Sequence, residues 1–197
     1  MKRGIDVSEW NKEIDWGAVA EAGIEFAIVR LGYGKGHLDS KFFDNINGAF
    51  NAGLKVGAYY YSYALSREDA EREAEFFCQT LKDAGLTNDD LEAGVWLDME
   101  DADHYKERNG VTGGSEITDM CFDFVFKCNK EGYNCGIYAS LDWMNNVIDT
   151  SVFADYVPYF VAEWGDECSF DRASVWQYTN HLKIGENEFD GDIMFDD

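Results

Sequence analysis

The amino-acid sequence predicts an α/β fold, an irregular TIM-like (β/α) barrel with eight strands and about five helices, formed by one domain over residues 1–197. Strand-like and helix-like apolar segments alternate five times through the first two thirds of the chain, which is typical of parallel βα units. Three strand-like segments then follow with only short polar connections between them. A complete barrel of this kind takes about 250 residues, and the missing last helices account for the shorter chain.

The five βα units can be located from residue types and spacing. Strands rich in β-branched and aromatic residues are predicted at residues 5–7, 25–31, 55–63, 91–99 and 134–139. The helices that follow them are predicted to begin at Asp15, Ser40, Ser66, Thr112 or Ser115, and Leu141, and to end near Gly23, Gly53, Gly85, Gly132 and Ile148. Apolar residues recur at helical spacing between these limits, as Phe43, Ile46 and Phe50 do.

The last third of the chain has a different rhythm. Strands are predicted at residues 156–164, 173–178 and 188–195, with too few residues between them for helices. The alternative to a barrel is an open, doubly wound sheet. The segment GIDVSEW at the first strand has no glycine-rich phosphate-binding pattern, and this favours the barrel.

Charge and composition exclude several classes of function. The chain has 39 acidic and 16 basic residues and a formal net charge of -23, so it lacks the basic stripe that nucleic acids and anionic membranes require. No apolar segment is long enough for a membrane helix, and no apolar run follows the two basic residues at the start, so no signal peptide is predicted. The 5 cysteines have no CxxC pair and indicate neither a disulfide framework nor a zinc site. We expect no metal and no cofactor.

Acidic residues lie at the ends of three predicted strands. Asp98 and Glu100 are two residues apart at the end of the fourth strand, so both side chains project to one face. Asp6 lies in the first strand, and Asp190 and Asp192 lie in the last. The first and last strands of a closed barrel are neighbours, and strand ends meet at its active face. Mutual repulsion can keep one carboxyl protonated, as glycoside cleavage by paired carboxylates requires.

Aromatic residues accompany these acids along the chain. Rings that offer an apolar face and a hydrogen-bonding group suit a sugar ligand, although about half of them are expected to be packing residues. The candidates are Trp10, Tyr33, Tyr60, Tyr61, Tyr63, Trp96, Tyr138, Trp164, Trp176 and Tyr178.

These motifs resemble, in order and over nearly the whole chain, the glycoside hydrolase family 25 lysozymes. The resemblance rests on GIDVSEW (4–10), AIVRLGYG (27–34), VGAYYY (56–61), LDME (97–100), GIY (136–138), VWQY (175–178) and FDGD (189–192). It implies an irregular β/α barrel with eight strands and five helices. It also implies hydrolysis, without a metal, of the β-1,4 bond between N-acetylmuramic acid and N-acetylglucosamine.

The resemblance also implies roles for individual residues. Glu100 matches the general acid of the family, Asp98 its partner on the same strand, Asp6 the acid of the first strand and Asp190 the acid of the last. Cleft positions that contact the substrate are matched by Arg30, Tyr61, Tyr138, Trp164, Gln177 and Asp192.

Two segments depart from the family pattern. FVAEW (160–164) replaces the common Trp-[Ile/Val]-Ala-Gln-Tyr, and FDGD (189–192) replaces Val-Asp-x-Asn. Whether Asp98 or Asp6 stabilises the positive charge or orients the acetamido group of the substrate stays open, as does the stereochemistry. Two other functions are possible from the sequence, a wall-binding module without catalysis and a glycosidase for another acetylated glycan such as chitin.

The expected partner is the glycan strand of peptidoglycan, bound by a monomer that neither binds nucleic acid nor inserts into a membrane. We expect action on the cell wall, after secretion or after release by a phage-type lysis route.

Overall fold

The computed structural model describes residues 1–196 and divides them into nine strands and six α-helices. In chain order these are β1 (Lys2–Val7), α1 (Trp16–Glu21), β2 (Phe26–Tyr33), β3 (His37–Leu38), α2 (Phe42–Asn51), β4 (Lys55–Tyr61), α3 (Arg67–Asp83), β5 (Val95–Asp98), α4 (Tyr105–Arg108), α5 (Gly114–Lys130), β6 (Cys135–Ser140), α6 (Leu141–Asn146), β7 (Tyr159–Ala162), β8 (Ala173–Ile184) and β9 (Asn187–Met194). None of the helices within residues 1–196 combines the length and the apolar character needed to cross a lipid bilayer.

Eight strands close into a barrel, which confirms the predicted fold class. The strand order is β1-β9-β8-β7-β6-β5-β4-β2, and the pairing of β1 with β2 closes the ring. The short strand β3 pairs only along one side of β2, so it lies outside the barrel.

The last strand runs against the others. The strands from β1 through β8 that share an edge in the barrel are parallel, but β9 is antiparallel to both β8 and β1. The βα pattern predicted parallel strands only for the repeated units. The reason for the reversal is local, because the two residues Gly185 and Glu186 connect β8 to β9 and so short a connection can join only antiparallel neighbours. Gly185 has the positive φ of 60° that such a turn favours.

Helix boundaries follow the predicted caps in part. Asp15 and Ser66 accept hydrogen bonds from the main chain of the first turns of α1 and α3, as predicted. Ser40 does not cap α2, because its hydroxyl donates to Glu9 and the helix begins one residue after Lys41. No side chain caps α5, whose preceding residue is Gly113.

The four-residue helix α4 was not predicted from the sequence, which raises the count from about five helices to six. It has no apolar face of its own to detect. Instead, the Asp101 carboxylate accepts hydrogen bonds from the backbone N–H of Lys106 at 2.7 Å and of Glu107 at 2.9 Å. Asp103 also accepts a hydrogen bond from the backbone N–H of Tyr105, so two aspartates stabilise the turn after β5.

Alternation along the strands sorts side chains into two layers. In β5, Val95 and Leu97 face outward into the large core between the barrel and its helices. Trp96 faces inward and packs with Phe26 and Phe160 in a second, smaller core that fills the barrel. Glycines make room for the large rings, since a Cβ at Gly4 would lie 2.2 Å from the Phe26 ring. Apolar rings therefore fill the interior of the barrel at one level. The level above them is left for polar groups.

Candidate active site

A cavity of about 310 Å³ opens at the ends of the parallel strands. Its wall contains eight of the ten side chains that the sequence singled out as site residues, namely Asp6, Arg30, Tyr61, Asp98, Glu100, Tyr138, Gln177 and Asp190. The others in the wall are Val7, Ser8, Trp10, Asn11, Tyr59 and Phe160. The structure thus brings residues from most strands of the barrel to a single cleft.

Strand pairing places the four acids on two sides of the cleft. Asp6 and Asp190 are paired directly across β1 and β9. On the other side, Asp98 is the last residue of β5, and its neighbours in the sheet are Tyr61 and Tyr138. Glu100 follows two residues later and lines the same cavity.

Gln177 of β8 connects the first pair of acids. Its side-chain amide donates a hydrogen bond to Asp6 at 2.8 Å and a longer one to Asp190 at 3.4 Å. Its amide oxygen accepts from the Tyr138 hydroxyl at 3.2 Å and from the Trp164 indole at 3.0 Å. The side chain is buried and its hydrogen-bonding groups are occupied, so Gln177 orients the acids and rings around it.

Asp98 and Glu100 differ from the other two acids in their hydrogen bonding. Among residues 1–196, no side chain or backbone group donates a hydrogen bond to the buried Oδ1 of Asp98. The Glu100 carboxyl lies beside it and borders the cavity. These two carboxyls are therefore available to a ligand in the cleft.

Burial acts on all four acids, and repulsion by neighbouring carboxyls adds to it at Asp6, Asp98 and Glu100. Burial, and then repulsion by Asp190, raises the pKa of Asp6 well above its ordinary value, and the hydrogen bond from Gln177 partly offsets this. Burial and repulsion by Glu100 raise the pKa of Asp98 in the same way. Burial also raises the pKa of Glu100, and it raises that of Asp190 to about 6. The cleft can therefore hold a protonated carboxyl beside an ionised one at mildly acidic to neutral pH.

Arg30 reaches the cavity, and its guanidinium forms ion pairs with two acids. Its Nε donates to Asp39 at 2.7 Å and its NH2 group donates to Glu9 at 3.0 Å. The Arg30 guanidinium also lies 5.1 Å from the centre of the Tyr33 ring. Arg30 is thus held at the edge of the cleft by Asp39 and Glu9, two acids that the sequence analysis did not select.

Two predicted site residues lie outside the cavity wall. Trp164 is 61% exposed at the rim, where its indole N–H is bonded to Gln177. Asp192 is 0% exposed inside the barrel and is paired with Gly4 and Gln177 on the neighbouring strands. The Asp192 carboxyl is thus fully buried, and its contact with substrate stays a prediction.

Tyr59 and Phe160 were missed by the sequence analysis although both line the cavity. Tyr59 could have been predicted as a cavity residue, because it is two residues from Tyr61 on one strand and shares its face. The same rule places Tyr60, one of the aromatic candidates, on the opposite face. Tyr60 is buried in the outer core and packs on Phe77 of α3.

Comparison with known proteins adds an independent line of evidence. The family model described as glycosyl hydrolases family 25 matches residues 5–187. The chain is 26% identical to "Lysozyme M1" of Streptomyces globisporus over 96% of this chain and 68% of that protein. It is 28% identical to the "Autolytic lysozyme" of Clostridium acetobutylicum over 83% of this chain and only 45% of that protein. The crystal structure of a bacterial lysozyme from Streptomyces coelicolor superposes with a TM-score of 0.82 at 25% identity, covering 98% of this chain and 91% of that one.

Proposed function

The chain belongs to glycosyl hydrolase family 25 and is therefore a glycoside hydrolase, and on this premise we propose that its cleft cuts the glycan strands of peptidoglycan at the β-1,4 bond between N-acetylmuramic acid and N-acetylglucosamine. The relatives named as lysozymes support a wall polysaccharide as the substrate. We propose that Glu100 is the general acid, with Asp98 and Asp6 stabilising the charge that develops on the sugar.

One observation carries the assignment of roles, the unequal hydrogen bonding of the four acids. Gln177 holds Asp6 and Asp190 on one side of the cleft. Across from them, Glu100 borders the cavity beside Asp98, whose buried Oδ1 has no donor within residues 1–196. A general acid must be free to give its proton to the leaving oxygen, and the less restrained side of the cleft meets this requirement.

The proposed reaction begins with a protonated Glu100. Burial raises the pKa of this carboxyl, which favours the protonated form that a general acid needs. As the glycosidic bond breaks, the Glu100 proton passes to the leaving oxygen, and positive charge develops at the anomeric carbon and ring oxygen. An ionised carboxylate at Asp98 or Asp6 then stabilises this charge, by direct attack or by orienting the acetamido group of the substrate. Water completes the hydrolysis.

The walls of the cleft suit an uncharged sugar. Tyr61 and Tyr138 flank Asp98 in the sheet and present rings to the cavity. Burial raises the pKa of both phenols, so each keeps its hydroxyl proton. The Tyr61 hydroxyl can donate a hydrogen bond to a ligand, whereas the Tyr138 hydroxyl already donates to Gln177 and can accept one. We propose that these rings contact the saccharide and that the exposed Trp164 at the rim extends the contact.

The central test removes the proton donor without changing the shape of the side chain. Glu100→Gln is expected to abolish clearing of a peptidoglycan suspension, because the amide cannot protonate the leaving oxygen. Glu21→Gln is a matched control, since Glu21 is exposed at the end of α1, outside the cavity. Full activity of Glu100→Gln with an unchanged circular dichroism spectrum would contradict the assignment.

Mass analysis of the digest tests the bond and the substrate. We expect fragments with N-acetylmuramic acid at the new reducing end. Release of reducing ends from chitin but not from peptidoglycan would indicate a different acetylated glycan. Binding to purified walls with no new reducing ends would indicate a binding module without catalysis.

We also propose that the protein works as a monomer on the cell wall, after secretion or release by a phage-type lysis route. Light scattering of the active protein tests the first part, since it distinguishes a mass near 22.4 kDa from a multiple of it.

A further inference from the structure

A buried lysine lies behind the acidic strand end. Lys106 of α4 is only 1% exposed, and its ammonium donates hydrogen bonds to the backbone carbonyl of Ser62 and, at 2.9 Å, to that of Glu100. Ser62 directly follows β4, and Glu100 follows β5 by two residues. Taking a lysine out of water is unfavourable unless its charge is compensated, so this position calls for an explanation.

The loop after β5 positions the side chain of Lys106 at the end of the strand. The Asp101 carboxylate accepts the backbone N–H groups of Lys106 and Glu107, which folds the chain back after Glu100. The side chain of Lys106 then returns to the carbonyl of Glu100 itself. Asp101 thus fixes the backbone of the loop by hydrogen bonds, and Lys106 holds the chain at the end of the strand by another.

The charges around Lys106 come from every element packed against it. The titratable groups that act on its ammonium are Glu73 of α3, Asp98 of β5, Asp101 of the following loop and the Cys121 thiol of α5. The charge of Lys106 in turn lowers the pKa of Glu100. The three acids among these groups favour the ammonium form of Lys106, against the effect of burial, which lowers the pKa of Lys106.

We propose that Lys106 is a positioning residue of the hydrolytic site, whose buried ammonium fixes the strand end that carries Asp98 and Glu100 and keeps a positive charge behind these two carboxyls. This inference rests on the proposed function only for its consequence in catalysis, because the contacts and the charge exist without substrate.

The electrostatic consequence has a definite sign. Burial and the surrounding acids raise the pKa of both Asp98 and Glu100, and Lys106 opposes the rise at each of them. Without the lysine, the cluster would bind protons more tightly, and both carboxyls would be neutral over a wider pH range. Lys106 therefore keeps one carboxylate ionised beside the acid, which is the state that paired-carboxylate hydrolysis requires.

The test uses Lys106→Gln, which retains a hydrogen-bond donor and removes the charge. Lys55→Gln is the matched control, because it makes the same change in net charge at the opposite end of β4, where Lys55 pairs with the exposed Glu92. Carboxyl carbons of Asp and Glu are followed by NMR as a function of pH. We expect the midpoints of Asp98 and Glu100 to rise by about one pH unit in Lys106→Gln and to stay unchanged in Lys55→Gln.

A measurement on the unaltered protein keeps the proposal testable if Lys106→Gln fails to fold. The ammonium resonance of Lys106 reports directly whether this group carries its charge at the pH where the protein is active. A neutral Lys106 at that pH, or equal carboxyl midpoints in Lys106→Gln and Lys55→Gln, would overturn the proposal.

The activity readout separates this proposal from the proposed reaction. The two limbs of the kcat/KM profile are expected to move to higher pH in Lys106→Gln, with kcat reduced more than KM is changed. A lysine that only stabilised the fold would lower activity without moving the profile. If the unaltered protein does not cut peptidoglycan, the proposed function fails, whereas the NMR titration still decides the role of Lys106.

Discussion

Glu73 offers a quantitative test of how a buried carboxyl affects the stability of the fold. The carboxyl is 3% exposed on the inner face of α3, where it accepts hydrogen bonds from the Ser62 hydroxyl at 2.6 Å and from the backbone N–H of Tyr63 at 2.9 Å. Burial raises its pKa from 4.5 to about 7, although both hydrogen bonds and Lys106 oppose the rise. The folded protein therefore holds a proton on Glu73 at a pH where the unfolded chain has lost it.

The sign of the effect follows from proton binding. Between pH 4.5 and about 7 the folded state binds more protons at Glu73 than the unfolded state, so the free energy of unfolding falls as the pH rises through this window. The displacement of the pKa corresponds to about 3 kcal/mol once the pH exceeds both values. At pH 5 most of this cost is absent.

The perturbation is Glu73→Gln, which removes the ionisable group. The amide oxygen can still accept from Tyr63 and the amide nitrogen can donate to the Ser62 hydroxyl, so the local hydrogen bonds are retained. Urea unfolding of both proteins is measured at pH 5 and pH 8. We expect the stability of the variant relative to the unaltered protein to increase by about 2–3 kcal/mol between the two pH values.

The control is Glu71→Gln, an exposed residue two positions away on the same helix. It makes the same change of side chain on the surface of the helix and so gives the reference for the pH dependence of Glu73→Gln. If the change for Glu73→Gln is no larger than the change for Glu71→Gln, the argument from burial is refuted.

Two further predictions concern the interior of the barrel. Asp192→Asn is expected to raise the melting temperature at pH 8 and to have a smaller effect near pH 4, because burial raises the pKa of a carboxyl whose two oxygens have no partner within residues 1–196; an equal shift at both pH values in scanning calorimetry would contradict this. Gly136→Ala is expected to destabilise the fold by ~1–3 kcal/mol or more in urea unfolding, since a Cβ there would lie 2.5 Å from the Trp96 ring and 2.6 Å from the Pro158 carbonyl. Gly165→Ala is the control, with nothing within 4 Å of the added methyl group, and a comparable loss there would argue against a steric cause.

Local patterns were sufficient to predict the fold class and much of the cleft. Five strand–helix alternations followed by three strands predicted an eight-stranded barrel, and the strand order confirms it. The period of two along a strand predicted that Asp98 and Glu100 share one face. Both line the cavity, although β5 ends at Asp98 and Glu100 lies two residues beyond the strand. These predictions succeed because alternation is a property of a single strand and does not depend on what the strand pairs with.

Predictions of which groups each side chain contacts were less complete, because these contacts join residues far apart in the chain. Arg30 was predicted to contact substrate and does line the cavity, but its ion pairs with Asp39 and Glu9 were not predicted. Asp192 was expected in the cleft, but it lies buried inside the barrel. The direction of β9 decides this, since an antiparallel strand carries Asp190 at the mouth and Asp192 deeper in the interior.

The barrel, its alternating faces and the acids at strand ends could be predicted from the sequence, because each of these is encoded within one segment. Which carboxyls are held by hydrogen bonds and which are free depends on the folded arrangement. Gln177 reaches Asp6 across 171 positions of sequence, and Lys106 reaches Ser62 across 44. Burial and the spacing of charges are set by such long-range contacts, and together they raise the pKa of Asp98 and of Glu100.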